Sequence, residues 1–300
     1  MVFAAALALP SAASATVTIG SNLNRVPGTP DPFGSGTTSA LAGLSSGAAA
    51  AGGITSPVNG AVTVWRIRSG LVSGPTSADM INFRVIRPLG GGLFTGAGMD
   101  TVNPAENVIS AFSTRKPISI GDYIGIDCCP AGPTGVYFVE NSGTVLRWWP
   151  NQADGDPGRP PDTTTSLELA INADIEPTST FEVEKVEKLK KGKLELTVAL
   201  PNAGTLIVGD RRDPKTGATA AAKKNKKKKK LLRRTTTTVT SPGEISLRLK
   251  PTKAARKRMK AKARRTGKKH PKIKAKVGLA FTPVFGASPG TGTMKTKLRR

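Results

Sequence analysis

The segment KIKAKVGLAFTP (272–283) sets Ile273, Ala275, Val277, Leu279 and Phe281 against Lys272, Lys274, Lys276, Gly278 and Ala280. A strict period of two fits a half-buried β-strand and is incompatible with the 3.6-residue period of a helix face. The same pattern recurs along the chain. KLELTVAL (193–200) points Leu194, Leu196, Val198 and Leu200 one way, EISLRLK (244–250) does so with Ile245, Leu247 and Leu249, and SLELAINADI (166–175) with Leu167, Leu169, Ile171, Ala173 and Ile175. Further strand-length runs are AVTVWRIRSG (61–70), INFRVIRP (81–88), NVISAF (107–112), GDYIGID (121–127), GVYFVE (135–140) and TVLRWW (144–149), each bounded by turn residues. Such a succession predicts an all-β protein. A jelly-roll-like sandwich is expected over 16–177 and a smaller immunoglobulin-like sandwich of about seven strands over 181–300.

Two segments depart from this pattern. TKAARKRMKAKARRTG (252–267) has helix-forming composition, with Thr252 placed to cap its start and Gly267 to stop it. Residues 34–60, GSGTTSALAGLSSGAAAAGGITSPVNG, are nearly all small, and that composition reads as a long loop or disordered insert with little to bury.

Charge divides the chain sharply. From Lys223 onward there are 28 Lys and Arg against the single Glu244, a net +27, whereas the preceding 222 residues hold 17 bases and 19 acids, a net −2. The densest stretch comprises Lys223, Lys224, Lys226, Lys227, Lys228, Lys229 and Lys230, followed by Arg233 and Arg234. This run falls between two expected strands, so it reads as a solvated loop insertion over 210–231 and not as a terminal arm. Lysines alternating with apolar residues also guard a sheet edge against pairing with other chains.

The first fifteen residues, MVFAAALALPSAASA, carry an apolar run, Pro10 and an Ala13-Ser14-Ala15 cleavage pattern, which together read as a secretory signal peptide of residues 1–15. No Lys or Arg precedes the apolar run. No other stretch approaches 18 apolar residues, so a soluble or peripherally attached mature protein is expected, without a transmembrane segment.

The succession SPVNGAVTVWRIRSG, FRVIRP, FTGAGMD, FSTRKPISIGDYIGID, LRWWP, DGDPGRPP and ELAINADIEP resembles a group of secreted, uncharacterised proteins of soil actinobacteria (Solirubrobacter-like) over residues 56–177. The resemblance implies an N-terminal β-sandwich ending at NADIEP. The lysine-rich remainder, with AKVGLAFTPVFG near its end, is similar to the immunoglobulin-like C-terminal modules of the same group. No activity comes with the resemblance. Relatives that follow IEP with an Asp-rich calcium-type repeat differ from this chain, which continues TSTFEVEKVEK.

Candidates for chemistry are few. The only histidine, His270, sits in the basic turn GKKHPK; a Ser-His-Asp or Cys-His arrangement would have to use it, nothing places a nucleophile beside it, and zinc lacks its usual ligand set. Cys128 and Cys129 are adjacent. In an oxidising compartment they form a vicinal disulfide, link another chain, or stay thiols, and a vicinal bridge closes no long loop. Asp154 and Asp156 in NQADGDPGRPPD have a D-x-D spacing that offers oxygens to calcium. The full EF-hand loop is missing and Arg159 lies among the ligands, so a plain polar loop is preferred and no metal is assigned. Glu140 and Glu168 are the conceivable carboxylate pair of a carbohydrate-active enzyme. Trp65 reads as core. Trp148 and Trp149, if in a strand, face opposite ways, one inward and one as a ligand platform.

These observations lead to an expectation of a secreted or cell-wall-associated, non-enzymatic recognition or adhesion protein without cofactor. Its cationic domain would hold anionic envelope polymers or polysaccharide through the lysine run and Arg233 and Arg234. A nucleic-acid-binding protein is the alternative, with binding that ignores sequence. No aromatic residue interleaves with the basic runs to stack bases.

Overall fold

The computed structural model describes residues 16–30, 36–70, 80–105, 107–128, 137–211, 213, 229–267, 270–286 and 288–299. The protein is all-β apart from one helix and short turns, and it divides between Thr178 and Ser179 into two compact units. The segment read as a signal peptide lies outside the described residues.

The first unit is a sandwich of two antiparallel sheets, with strands numbered in chain order. One sheet runs β1 (Val17–Gly20), β11 (Ile171–Pro177), β4 (Gly60–Arg68), β7 (Ile109–Ile118). The other runs β10 (Thr163–Leu169), β9 (Tyr137–Trp148), β3 (Thr37–Leu44), β8 (Tyr123–Cys128), β5 (Ile81–Gly90), β6 (Leu93–Val102), with the short β2 (Thr29–Pro30) also on β9. Their facing sides share one apolar core, in which Trp65 stacks on Phe83 at a 4.9 Å ring separation. Trp65 is fully buried, and its Nε1 donates to Asp100 Oδ2 at 3.2 Å.

Three sequence expectations are corrected here. Residues 34–60 are not simply a loop, because 37–44 form β3, an interior strand between β9 and β8 with Thr37, Thr38, Ser39, Ala40 and Leu41 all buried. Small side chains are needed because the sheet is covered on both faces. Ser39 lies under the Arg147 guanidinium, with Arg147 Nη1 donating to its hydroxyl at 3.1 Å, and Ala40 packs with Ile86 and Trp148 on the other side. The run SLELAINADI is two strands, because the chain leaves one sheet at Leu169 and enters the other at Ile171. The alternation survives the crossing since Leu169 and Ile171 face the same interior, and strands that switch sheets form the corners of sandwiches. Conversely, GVYFVE and TVLRWW are one strand, β9, with a register shift against β10 between Leu167 and Thr165.

Among the described residues the second unit has seven strands. β12 (Glu182–Lys188), β13 (Leu194–Leu200) and β16 (Gly243–Leu249) form one sheet, in that order. β15 (Thr235–Val239), β14 (Gly204–Asp210), β17 (Lys272–Pro283) and β18 (Gly290–Arg299) form the other. The alternating residues Leu194, Leu196, Val198, Ile273, Ala275, Val277, Leu279 and Phe281 are buried between them. Between β16 and β17 the helix α1 (Lys253–Thr266) is capped by Thr252, whose hydroxyl accepts from Ala255 N at 3.2 Å. It ends at Gly267, in the left-handed conformation at φ 63°. Ala255 and Met259 are its buried anchors. No helix among the described residues is long and apolar enough to cross a membrane.

Candidate functional site

The second sandwich concentrates its positive charge on a β-hairpin and the neighbouring helix. β17 and β18 pair so that Lys272 lies opposite Arg299, Lys274 opposite Lys297 and Lys276 opposite Lys295. All six are exposed, while the alternate residues Ile273, Ala275 and Val277 on β17 face the core. Directly opposed side chains start about 5 Å apart and successive outward residues on one strand are about 6.8 Å apart. The result is two parallel rows of three cations. The other end of the same face carries Thr291 and Thr293 opposite Ala280 and Gly278, so the charge is confined to one end.

Helix α1 extends this surface. Eight of its fourteen residues are Lys or Arg, with no acid in its first turn. Lys262 Nζ donates to the carbonyl of Lys272 at 2.8 Å, which sets the helix cations beside the first hairpin pair. Among the described residues no hairpin or helix cation forms an ion pair; Glu187, Glu195 and Asp213 pair with other bases, as in Arg248–Glu195 at 2.9 Å. Like charges opposed on a strand pair, or spaced i and i+4 on a helix, work against folding. Edge protection accounts for cations on the edge strand β18, and the β17 end that carries Lys272 and Lys274 also runs past β14, whose pairing stops at Val277.

Of the polyanion-binding residues expected from sequence, Lys223, Lys224, Lys226, Lys227 and Lys228 lie outside the described residues. Lys229, Lys230, Arg233 and Arg234 are exposed. The segment enters from β14 and returns toward β15, which pair antiparallel. Its base is closed by Asp210 Oδ2 accepting from Leu231 N at 2.6 Å and by Lys230–Asp213 at 3.0 Å; Arg234 also approaches Asp213, at 3.7 Å. The expected loop limits of 210–231 shift at both ends. Asp210 belongs to β14, and Leu231 and Leu232 are buried in the core. Sequence reading passed over the hairpin and helix cations as binding residues, although the alternation Lys-x-Lys-x-Lys at 272–276 carried the signal.

In the first sandwich the adjacent tryptophans part company. Trp148 is fully buried, on the outer face of the larger sheet with Ala40, Ile86 and Phe94, its ring edge-on to Phe94 at 5.4 Å. Trp149 is 69% exposed. Its backbone is held on both sides. The N–H donates to Asp162 Oδ2 at 2.6 Å, and the carbonyl accepts from Arg159 Nη1 at 3.1 Å. Trp149 stands at a cleft of about 320 Å³ at the strand ends of β3, β9 and β10, lined by Thr37, Arg147, Trp148, Trp149, Asp162 and Thr163.

The outer face of the larger sheet also carries a chain of polar contacts. Asp127 accepts from Thr38 Oγ1 at 2.5 Å and from Arg84 Nε at 2.6 Å, and Arg84 Nη1 reaches Asp154 Oδ1 at 2.6 Å. Burial pushes the Asp127 carboxyl above its ordinary range despite these donors. The D-x-D pair is therefore committed internally. Asp154 holds Arg84 and the Gly98 N–H, whereas Asp156 Oδ2 accepts from Ala153 N at 3.1 Å. Among the described residues no three of His, Cys, Asp and Glu cluster as metal ligands.

The conceivable carboxylate pair does not converge. Glu140 is paired with Leu167 and Glu168 with Val139, so the two acids project to opposite faces of the sheet. Glu168 is fully buried and accepts from Ser21 Oγ at 2.5 Å and Ser142 Oγ at 2.9 Å; Glu140 is exposed. His270 is exposed in the turn before β17. Cys128 closes β8 opposite Thr37, and Cys129, with the question of a vicinal bridge, lies outside the described residues. No protein-family model matches this sequence, and no curated protein matches it.

Proposed function

We propose that the protein is a secreted or cell-surface recognition protein, without catalytic activity, whose C-terminal sandwich holds anionic envelope polymers through its hairpin and helix cations. The carrying observation is the set of three directly opposed cation pairs, Lys272–Arg299, Lys274–Lys297 and Lys276–Lys295. Each opposition costs up to about 1 kcal/mol in water at 5 Å, and no acid of the described chain offsets it. A bound polyanion relieves all three at once. The strand order of this unit supports an immunoglobulin-like reading, with the first, second and fifth strands in one sheet and the other four in the second. Secretion rests on the signal-like first fifteen residues. The non-enzymatic part is supported by the divergence of Glu140 and Glu168 and by the exposure of the lone His270.

The test is titration with a soluble polyuronate over a range of salt. Replacing the six hairpin cations with Thr keeps strand propensity and the inward face intact. The variant should bind at least tenfold more weakly with a shallower salt dependence. Unchanged binding in a folded variant would overturn the reading. A loss confined to DNA, sparing the polyuronate, would favour a nucleic-acid role instead.

A further inference from the structure

The cleft beside Trp149 belongs to the first unit, the cationic surface to the second, and the cleft has the composition of a small-molecule site. Exposed indoles on a monomer are uncommon, because a ring this size has much to gain from burial. Here the exposed ring belongs to a backbone fixed by Asp162 and Arg159, so the plate is presented in a set position. A Cβ added at Gly36 would lie 3.9 Å from Trp149 Nε1, which places the indole over the start of β3.

Polar groups surround that plate. Thr37, 2% exposed, lines the cleft, and its Oγ1 has no hydrogen-bond partner among the described residues. A buried hydroxyl left in this state costs free energy that a seated polar group removes. Asp162 engages Trp149 N through one oxygen, and its side chain is 53% exposed. Thr163 follows it and pairs with Arg147 across the ladder. Arg147, 1% exposed, is held by Ser39 Oγ at 3.1 Å and lies 4.7 Å from the Phe138 ring centroid, which makes it a fixed wall. About 320 Å³ is at the lower limit for a ligand pocket, enough for a ring or two.

We infer that this cleft binds an uncharged sugar ring of a glycan chain, stacked on Trp149 with its hydroxyls reaching Thr37, Asp162 and Thr163. A pyranose has an apolar C–H face and a rim of hydroxyl groups, and the cleft has one apolar plate and a rim of oxygens. A wholly apolar guest leaves the Thr37 hydroxyl unsatisfied. The charges of the lining oppose one another, Arg147 against Asp162, and Asp162 is also paired with Arg159, so no net charge calls for an ionic guest.

The test uses the full chain and a panel of uncharged oligosaccharides: β-1,4-glucan, α-1,4-glucan and chitin hexamers. Binding is read by tryptophan fluorescence and calorimetry at low and high salt. At least one hexamer should bind saturably, with an affinity that salt does not change. Trp149→Ala should weaken it at least tenfold and Trp149→Tyr less, with melting temperatures unchanged because the ring is exposed. Thr37→Val should weaken it severalfold while leaving the fold intact, since the hydroxyl is unpartnered. The six-Thr hairpin variant should bind the hexamer normally, which separates this site from the polyanion surface. Absence of binding by every hexamer, binding indifferent to Trp149→Ala, or preference for a nucleoside monophosphate would each overturn the assignment.

Discussion

Lys274 on β17 stands directly opposite Lys297 on β18, and neither has an acidic neighbour in the ladder. Replacing one member of the pair with an acid converts repulsion into attraction. Lys297→Glu should raise stability by about 0.2–1 kcal/mol at low salt. The gain should shrink at high ionic strength, because both groups are exposed and screened. Thermal melts in 20 mM and 500 mM salt check this. The same variant should bind a polyuronate more weakly, so stability and binding should move in opposite directions. A variant that lost both would mean that the lysines are structural.

The helix is the next place where the charge pattern acts on stability. Repulsion among its basic residues leaves α1 dependent on its caps and on the Ala255 and Met259 anchors. Thr252→Ala removes the acceptor for Ala255 N and the donor to the Lys230 carbonyl, the latter at 2.8 Å. Loss of the cap should cost about 1 kcal/mol, within the usual range of roughly 0.5–2. Urea unfolding of the wild type and the variant should show a lower midpoint with an unchanged slope.

Much of the fold was legible because burial in a sandwich imposes a period of two. Ile273, Ala275, Val277, Leu279 and Phe281 announced β17, and Thr252 and Gly267 bracketed α1 to the residue. Small residues hid β3, because a strand covered on both faces needs little side chain where backbones and a buried guanidinium crowd it. The corner at Ala170 was hidden for a different reason: Leu169 and Ile171 keep facing the same core across it. The site was less legible. Composition drew attention to the lysine run, while the cation rows depend on the register between β17 and β18, which no local pattern states. Alternation said that one of Trp148 and Trp149 is buried and the other exposed but not which, and the partnerless Thr37 hydroxyl depends on three strand ends meeting.

Acid stability should carry the mark of Asp174. Its carboxyl is held below its ordinary value chiefly by the hydrogen bond from Arg66 Nη2 at 2.5 Å, with Thr18 Oγ1 adding a second donor at 2.6 Å. A depressed carboxyl contributes stability above its unfolded value, near 3.8, and loses it as pH falls through the lower folded value. Asp174→Asn should therefore flatten the decline of stability below about pH 4. Asp127 acts with the opposite sign, since burial raises its pKa. Between its ordinary and its raised value, acidification favours the folded state. Urea midpoints measured from pH 2 to 7 on wild type and Asp174→Asn check the first effect. A steeper acid limb in the variant would contradict the assignment.

The lysine run can be tested through the contacts that close its base. Asp210 and Leu231 are joined by a 2.6 Å hydrogen bond, and Leu231 and Leu232 fill the core. Deleting residues 223–228 and bridging Ala222 to Lys229 with a Gly-Ser pair leaves these anchors in place. Folding stability should change little, because the cost of closing a loop depends only weakly on its length. Five lysines leave the chain, so binding to polyanions should weaken. With duplex DNA the log–log salt slope should fall by as much as about 4.5, at roughly 0.9 per phosphate neutralised. The loss should be similar for DNA and for an acidic polysaccharide of matched charge density, because an ammonium group responds to charge and reads no base edge. A deletion that abolished DNA binding while sparing the polysaccharide, or that altered preference among DNA sequences, would make the run a dedicated nucleic-acid element. The hairpin cations would then serve a separate purpose.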